Sequence, residues 1–424
     1  MDKERRERLT KTTGVHLAME AKETLRQVEE EFPDNPKAMK YFYDLFRAAY
    51  NGGGTNKNGS KRIGTLCVQV PEELIRAAGA VPVRLCSGSH AFEQAGAEFM
   101  PAKSCSMVKA TLGMLSLHTA SDAEKIDLVV NPTTCEQKKK AGELLEEFGY
   151  RVHHLEMPPS KDSEEARIYW QRSVKKFARV LEETTGVRIT KQRLAEAIKT
   201  TGLARAAYRR LHELMKSPRP VIRGKDAMLV TNAFFFDDLE RWTAAVADLT
   251  DELELRQEQN VTAAGKHAPR ILFTGSPPIF PNLKLPLLIE QAGGVIVADE
   301  VCSSSRLLYD LVAYDEQALY DMVPAVADRV LKPCTCPVFL SSQDRIRRLL
   351  DLATSFGVDG VAYQSFAGCM PYELEQRSVG KALAKANIPM LSIETDYSPD
   401  DHGQLSTRVE AFIESLKGKA RKRS

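Results

Sequence analysis

No C-x-x-C pair occurs in this chain, no cysteine lies between Cys135 and Cys302, and no stretch approaches the roughly 18 uninterrupted apolar residues that a membrane span needs. The first absence removes the paired knuckles usual in structural zinc sites and the close spacing of a ferredoxin. The last argues against a membrane protein. The opening Met1-Asp2-Lys3-Glu4-Arg5-Arg6 lacks the apolar core of a secretory signal, so the expected compartment is the cytoplasm. Excess charge is missing too. The 59 basic and 57 acidic residues leave a net +2, which gives no electrostatic footprint for nucleic acid. The basic run from Lys417 to Arg423 reads as a solvated tail.

What remains is a soluble globular composition, 43% apolar and 27% charged, in a chain of 424 residues, long enough for two or three domains. Its eight cysteines fall into two sets: Cys67, Cys86, Cys105 and Cys135, then Cys302, Cys334, Cys336 and Cys369. In a reducing compartment they make a poor disulfide framework. They are better read as ligands, nucleophiles or small buried hydrophobes.

Residues 1–60 read as a helical N-terminal segment ending in the connector Asn51-Gly52-Gly53-Gly54. Residues 61–160 alternate strand and helix. Strands are expected over 63–67, 81–85, 127–131 and 151–157, with helices over 71–79 and 135–148. Residues 161–268 read as a helical layer carrying one short strand, Ala227-Met228-Leu229-Val230. Its first helix is expected to be capped at Asp162 with Glu165, to bury Trp170, Val174, Phe177, Ala178 and Leu181, and to end at Gly186. Alternation resumes over 269–424, with strands expected at 270–274, 294–299, 360–364 and 389–394, and helices at 282–291, 345–356, 372–386 and 404–417. The fold class is therefore α/β: two similar Rossmann-like, flavodoxin-like parallel-sheet domains with helical N-terminal and middle segments.

The two α/β parts look duplicated. Asp127-Leu-Val-Val, then Cys135 and a helix, parallels Asp359-Gly-Val-Ala, then Cys369 and a helix; Ala78-Gly79-Ala80-Val81 precedes Cys86 as Ala292-Gly293-Gly294-Val295 precedes Cys302. A cysteine just past a strand and at a helix start gains backbone N–H groups and the positive end of the helix dipole, which favour a thiolate. Cys135 and Cys369 fit that position, as does Cys105 before Ser106-Met107-Val108-Lys109. Soft thiolates without nearby histidines favour an iron–sulfur centre, with zinc as the competitor.

Other motifs fail on context. Gly54 to Lys61 has P-loop glycines but reverses the Lys-Ser order and precedes a strand, Gly275-Ser276-Pro277-Pro278 has prolines where N–H donors are needed, and His153-His154 in a strand point to opposite faces. No nucleotide site is expected on this chain.

Gly64-Thr-Leu-Cys67-Val-Gln-Val-Pro71-Glu72-Glu73-Leu-Ile resembles the opening cysteine motif of the 2-hydroxyacyl-CoA dehydratase and benzoyl-CoA reductase superfamily. Asn131-Pro-Thr-Thr-Cys135-Glu-Gln-Lys-Lys-Lys140, Asp359-Gly-Val leading to Cys369-Met-Pro-Tyr-Glu373-Leu-Glu375, Glu394-Thr-Asp396-Tyr397-Ser398, Gly403-Gln404-Leu and Arg408-Val-Glu-Ala-Phe412 extend the likeness over nearly all of 60–415. Dehydratase subunits of that superfamily hold a single 4Fe-4S cubane through three cysteines of the first α/β domain. A second cysteine set makes this chain more similar to the double-cubane cluster proteins, homodimers in which two cubanes share a bridging sulfide.

The resemblance implies six thiolate ligands: Cys67, Cys105 and Cys135, then Cys302, Cys369 and one of Cys334 or Cys336, with Cys86 as an alternate. It implies an oxidoreductase that receives electrons from a separate ATP-dependent iron–sulfur activator and reduces a small-molecule substrate. Proton donors would then be needed, and His90, Glu136, Tyr363 and Gln364 lie near the ligand loops in sequence. Two competing readings stay open: a dehydratase or acyl-CoA reductase subunit with one cubane, and a non-catalytic thiolate scaffold that stores or transfers clusters.

Overall fold

The computed structural model describes residues 3–50, 60–117 and 126–423. Helices α1 (Lys3–Glu30) and α2 (Met39–Tyr50) form the expected N-terminal segment. The connector at 51–54 and the glycines of the P-loop-like stretch lie outside the described residues. Then follow β1 (Arg62–Thr65), α3 (Glu72–Ala77), β2 (Val81–Arg84), α4 (His90–Gly96), α5 (Ser106–Leu117), β3 (Leu128–Pro132), α6 (Glu136–Glu147) and β4 (Val152–Leu155). The middle of the chain is α7 (Glu164–Thr185), α8 (Lys191–Leu214), α9 (Gly224–Ala233) and α10 (Leu239–Glu258). The last part runs β5 (Arg270–Gly275), α11 (Lys284–Gln291), β6 (Val295–Glu300), α12 (Ser305–Leu308), α13 (Leu319–Leu331), α14 (Gln343–Ser355), β7 (Gly360–Phe366), α15 (Met370–Lys385), β8 (Met390–Thr395) and α16 (His402–Arg423). No described helix is long and apolar enough to cross a membrane.

Each group of four strands forms its own parallel sheet, in the orders β2-β1-β3-β4 and β6-β5-β7-β8. The order is the same in both, as a duplicated unit requires. The inner strands are apolar runs because helices cover both faces: Leu128, Val129 and Val130 are buried in one sheet, and Ile271, Leu272 and Phe273 in the other. In each sheet the chain leaves the first strand to one side and returns to the other, which opens a crevice at the strands' carboxyl ends.

Two local expectations change. The stretch 227–230 is helical, part of α9, whose ten residues are all buried. A helix with no polar face has no 3.6-residue alternation, so its apolar run reads as a strand. The cap of α7 is Ser163, whose hydroxyl accepts from Ala166 N at 3.2 Å, while Asp162 is exposed. In the α7 stripe Trp170, Val174, Phe177 and Leu181 are fully buried as expected, Ala178 is half-buried at its edge, and the helix ends at Gly186 with φ 73°.

The halves meet across the middle helices. Glu73 of α3 lies between Arg205 of α8 at 2.7 Å and Arg329 of α13 at 2.9 Å, all within the interior. Burial would push the Glu73 carboxyl up, but the two guanidinium groups outweigh it and hold it at about 2. Trp170 Nε1 donates to Ala327 O at 2.8 Å, fastening α7 to α13.

Candidate metal centre

Five cysteines stand within a few residues of strand carboxyl ends: Cys67 after β1, Cys86 after β2, Cys135 after β3, Cys302 after β6 and Cys369 after β7. Cys135 and Cys369 are the N-caps of α6 and α15, and Cys105 directly precedes α5. Cys334 and Cys336 occupy the loop between α13 and α14. All eight thiols are free, with Cys105 and Cys334 buried and the others half-buried.

Two glutamines join the cysteine loops of one half to those of the other. Gln69 Nε2 donates to Cys334 Sγ at 3.0 Å, while its Oε1 accepts from Cys67 Sγ at 3.7 Å. Gln137 Oε1 accepts from Cys105 N at 2.7 Å, while its Nε2 donates to Gly368 O at 2.8 Å, beside Cys369. The loops approach so closely that two glycines are required. A Cβ on Gly368, whose φ is 77°, would lie 2.1 Å from Lys103 O, and one on Gly88 would lie 1.7 Å from Ile279 O.

Cys105 lies in a buried cluster of the first half against which Cys369 of the second half packs. The Cys369 contact, the Met107 and Val108 N–H groups and Lys138 hold Cys105 below the ordinary thiol range. Burial pushes Cys302 up to about 12, and raises Cys135 and Cys334. Two cations act on these sulfurs, the half-buried Lys138 and Arg306, whose side chain is buried. Burial alone would lower the Lys138 ammonium, but the charges of Cys67, Cys86, Cys135 and Cys302 hold it up, and it donates to Leu66 O. Arg306 is likewise held charged against burial by Glu300, Tyr372, Cys336 and Cys302.

Behind Arg306 is a buried charged network. Glu300 accepts two bonds of 2.6 Å from Arg306 and one of 2.5 Å from Arg345, and also accepts from Thr335. Arg345 Nε faces Glu375 Oε2 at 2.7 Å, and Arg306 Nη1 donates to the Tyr372 hydroxyl at 2.8 Å. Lys138, by contrast, shares with Cys86, Leu66, Met107 and Val108 the wall of a small, mostly apolar pocket.

The four residues named as proton donors have different surroundings. His90 starts α4 with Nδ1 3.6 Å from Glu93, which raises its pKa; Glu93 is itself paired with Lys109 at 3.1 Å. Glu136 is exposed and paired with Lys139 at 2.6 Å. Tyr363 is buried, its hydroxyl donating to Tyr372 O at 2.9 Å and approaching Glu375 at 3.4 Å. Gln364 Nε2 donates to Ser276 O at 3.0 Å and so ties β7 to the end of β5. His153 and His154 do point to opposite sides: His153 is buried against Phe177, and His154 faces Glu146.

Sequence reasoning did not single out Gln69, Gln137, Lys138 or Arg306 for any role. Gln69 and Gln137 reach the opposite half across more than 200 residues, which only the fold can bring about. Among the described residues, no three His, Cys, Asp or Glu side chains are grouped to hold one metal ion.

Relatives carry the same chain almost end to end. YjiM of Escherichia coli (strain K12), a candidate dehydratase subunit, is 32% identical over 85% of this chain and 92% of its own. The (R)-2-hydroxyglutaryl-CoA dehydratase subunit beta of Acidaminococcus fermentans is 26% identical over 84% and 93%, and the (R)-phenyllactyl-CoA dehydratase beta subunit of Clostridium sporogenes is 25% identical over 85% and 93%. The family model described as the 2-hydroxyglutaryl-CoA dehydratase D-component matches residues 67–416, from the first cysteine into the last helix. With all eight cysteines and most of both α/β halves inside that match, the chain belongs to the 2-hydroxyglutaryl-CoA dehydratase D-component family.

Proposed function

We propose that this chain is an iron–sulfur enzyme that holds a double-cubane cluster between its two α/β halves. It reduces a small molecule at low potential, with electrons from an ATP-dependent iron–sulfur activator, and works as a homodimer in the cytoplasm. Residues 61–160 and 269–424 are the two cluster-binding domains, with 1–60 and 161–268 as helical segments around them. The ligands are Cys67, Cys105 and Cys135 from one half, and Cys302, Cys369 and either Cys334 or Cys336 from the other. Cys86 is the alternate.

The observation that carries this reading is the meeting of cysteine loops from both halves, Gln69 beside Cys67 donating to Cys334 and Gln137 bridging Cys105 N and Gly368 O, with Lys138 and Arg306 close behind Cys135 and Cys302 in the chain. A cluster ligated by several thiolates carries excess negative charge, and buried cations offset it where water cannot. The N-termini of α5, α6 and α15 add backbone N–H groups at Cys105, Cys135 and Cys369. Gln69 and Gln137 hold loops of opposite halves in fixed register. The donor set is soft and free of imidazole, which suits iron and sulfide. When bound, the cluster supplies single electrons of low potential; the chain positions it, neutralises it and shields it. Because burial keeps Cys302 protonated up to about pH 12, loading the site releases protons.

Anaerobic iron and acid-labile sulfide analysis tests the reading. About eight irons per chain support the double cubane; about four, or none, overturn it. The second reading, a 2-hydroxyacyl-CoA dehydratase subunit with one 4Fe-4S cluster, has the names of the relatives in its favour. It predicts about four irons and dehydration of a 2-hydroxyacyl-CoA when the activator and a second subunit are added.

A further inference from the structure

Tyr397 is the least explained group around the thiols. It follows β8, is 4% exposed, and its hydroxyl has no hydrogen-bond partner. Leaving a buried hydroxyl unpaired is destabilising, a cost that a phenylalanine in the same place would avoid. The surroundings nonetheless fix this ring firmly. Lys284 Nζ donates to the carbonyls on either side, Asp396 O at 3.1 Å and Ser398 O at 2.7 Å, and also to Asp401. Tyr397 N donates to Glu93 at 3.2 Å, and the ring packs edge-on against Phe366 at 5.0 Å. So held, the ring lies in one buried cluster with Cys105 of the first half, against which Cys369 of the second half packs. Burial raises its pKa well above the ordinary value, which keeps the proton on the oxygen.

We propose that the Tyr397 hydroxyl is a hydrogen-bond donor to a sulfur of the iron–sulfur group held between the halves, and that it sets the reduction potential of that group. The proposal rests on the function proposed above. Its acceptor is a cysteine thiolate or an inorganic sulfide, since sulfurs are what the neighbouring side chains assemble. A donor to sulfur stabilises the more negative, reduced state, so its removal moves the potential down. Tyr397 is a tuning and positioning residue; no bond to it forms or breaks.

The test compares wild type with Tyr397→Phe, both loaded anaerobically, by iron and sulfide content and by redox titration followed with electron paramagnetic resonance. The expected result is equal iron and sulfide with a midpoint potential shifted to a more negative value. Equal content with an unshifted potential overturns the Tyr397 proposal and leaves the proposed function standing. Wild type that takes up no iron overturns both. The metal-free proteins provide a second reading. Because the hydroxyl has no protein partner, metal-free Tyr397→Phe should melt no lower than metal-free wild type. A clear fall would show that the hydroxyl serves the fold itself and would also overturn the proposal.

Discussion

The two α/β halves share a strand order but support their thiols differently. In the second half, Cys302 and Cys336 face Arg306, which is held by Glu300 within a closed set of Arg345, Glu375, Thr335 and Tyr372. In the first half, Lys138 donates to one backbone carbonyl at the wall of an apolar pocket that also reaches Cys86. Duplication preserved the topology, while the electrostatic support diverged. The second half is a braced platform whose charge is set by the protein. The first offers its charge beside an opening.

That contrast can be broken most severely at Glu300. Glu300→Ala leaves Arg306 and Arg345 buried without their shared carboxylate and should cost about 3–5 kcal/mol in chemical denaturation of the metal-free protein. Glu73→Gln tests the brace between the halves and should cost roughly 3 kcal/mol near neutral pH. Its pH dependence has a definite sign. The folded-state pKa of about 2 lies below the ordinary 4.5, so the contribution is complete above pH 4.5 and is lost as pH falls towards 2. Wild type and Glu73→Gln should therefore converge in stability on acidification.

Lys138→Met sharpens the comparison from the other side. Lys138 has one hydrogen bond to lose, so the metal-free fold should change by only about 1 kcal/mol, yet iron should be held about 10-fold more weakly. A large loss of stability instead would mean that the first half is braced like the second. His212→Phe should have the smallest effect, a gain of about 1 kcal/mol. Both its ring nitrogens are buried without partners, and Phe356 and Tyr309 already surround the ring. Burial lowers its pKa from 6.5 to about 4, so protonation weakens the wild-type fold as pH falls from 6.5 towards 4. The advantage of the phenylalanine should widen over that window in thermal melts.

Much of this organisation is legible in the sequence, and the exceptions have physical causes. Eight strands are legible because short β-branched and apolar runs alternate with helical periodicity, and the repeated Asp-then-Cys pattern agrees with the matching strand orders of the two sheets. Cys135 and Cys369 could be placed at helix starts from their neighbours alone. The run 227–230 misled because α9 is buried on every side and carries no amphipathic signature. Gln69 and Gln137 gave no signal, since their partners lie 265 and 231 residues away. Glu136 and Gln364 show the limit of nearness in sequence. One points into solvent and the other fastens two strands.

The central claim is that both halves contribute sulfur to one iron–sulfur centre, and anomalous diffraction at the iron edge from anaerobically grown crystals tests it most directly. The account predicts iron density between the two sheets' carboxyl ends, ligated by Cys67, Cys105 and Cys135 on one side and by Cys302, Cys369 and Cys334 or Cys336 on the other. Iron bound to the first set alone, with Cys302 and Cys369 still free thiols, would contradict it.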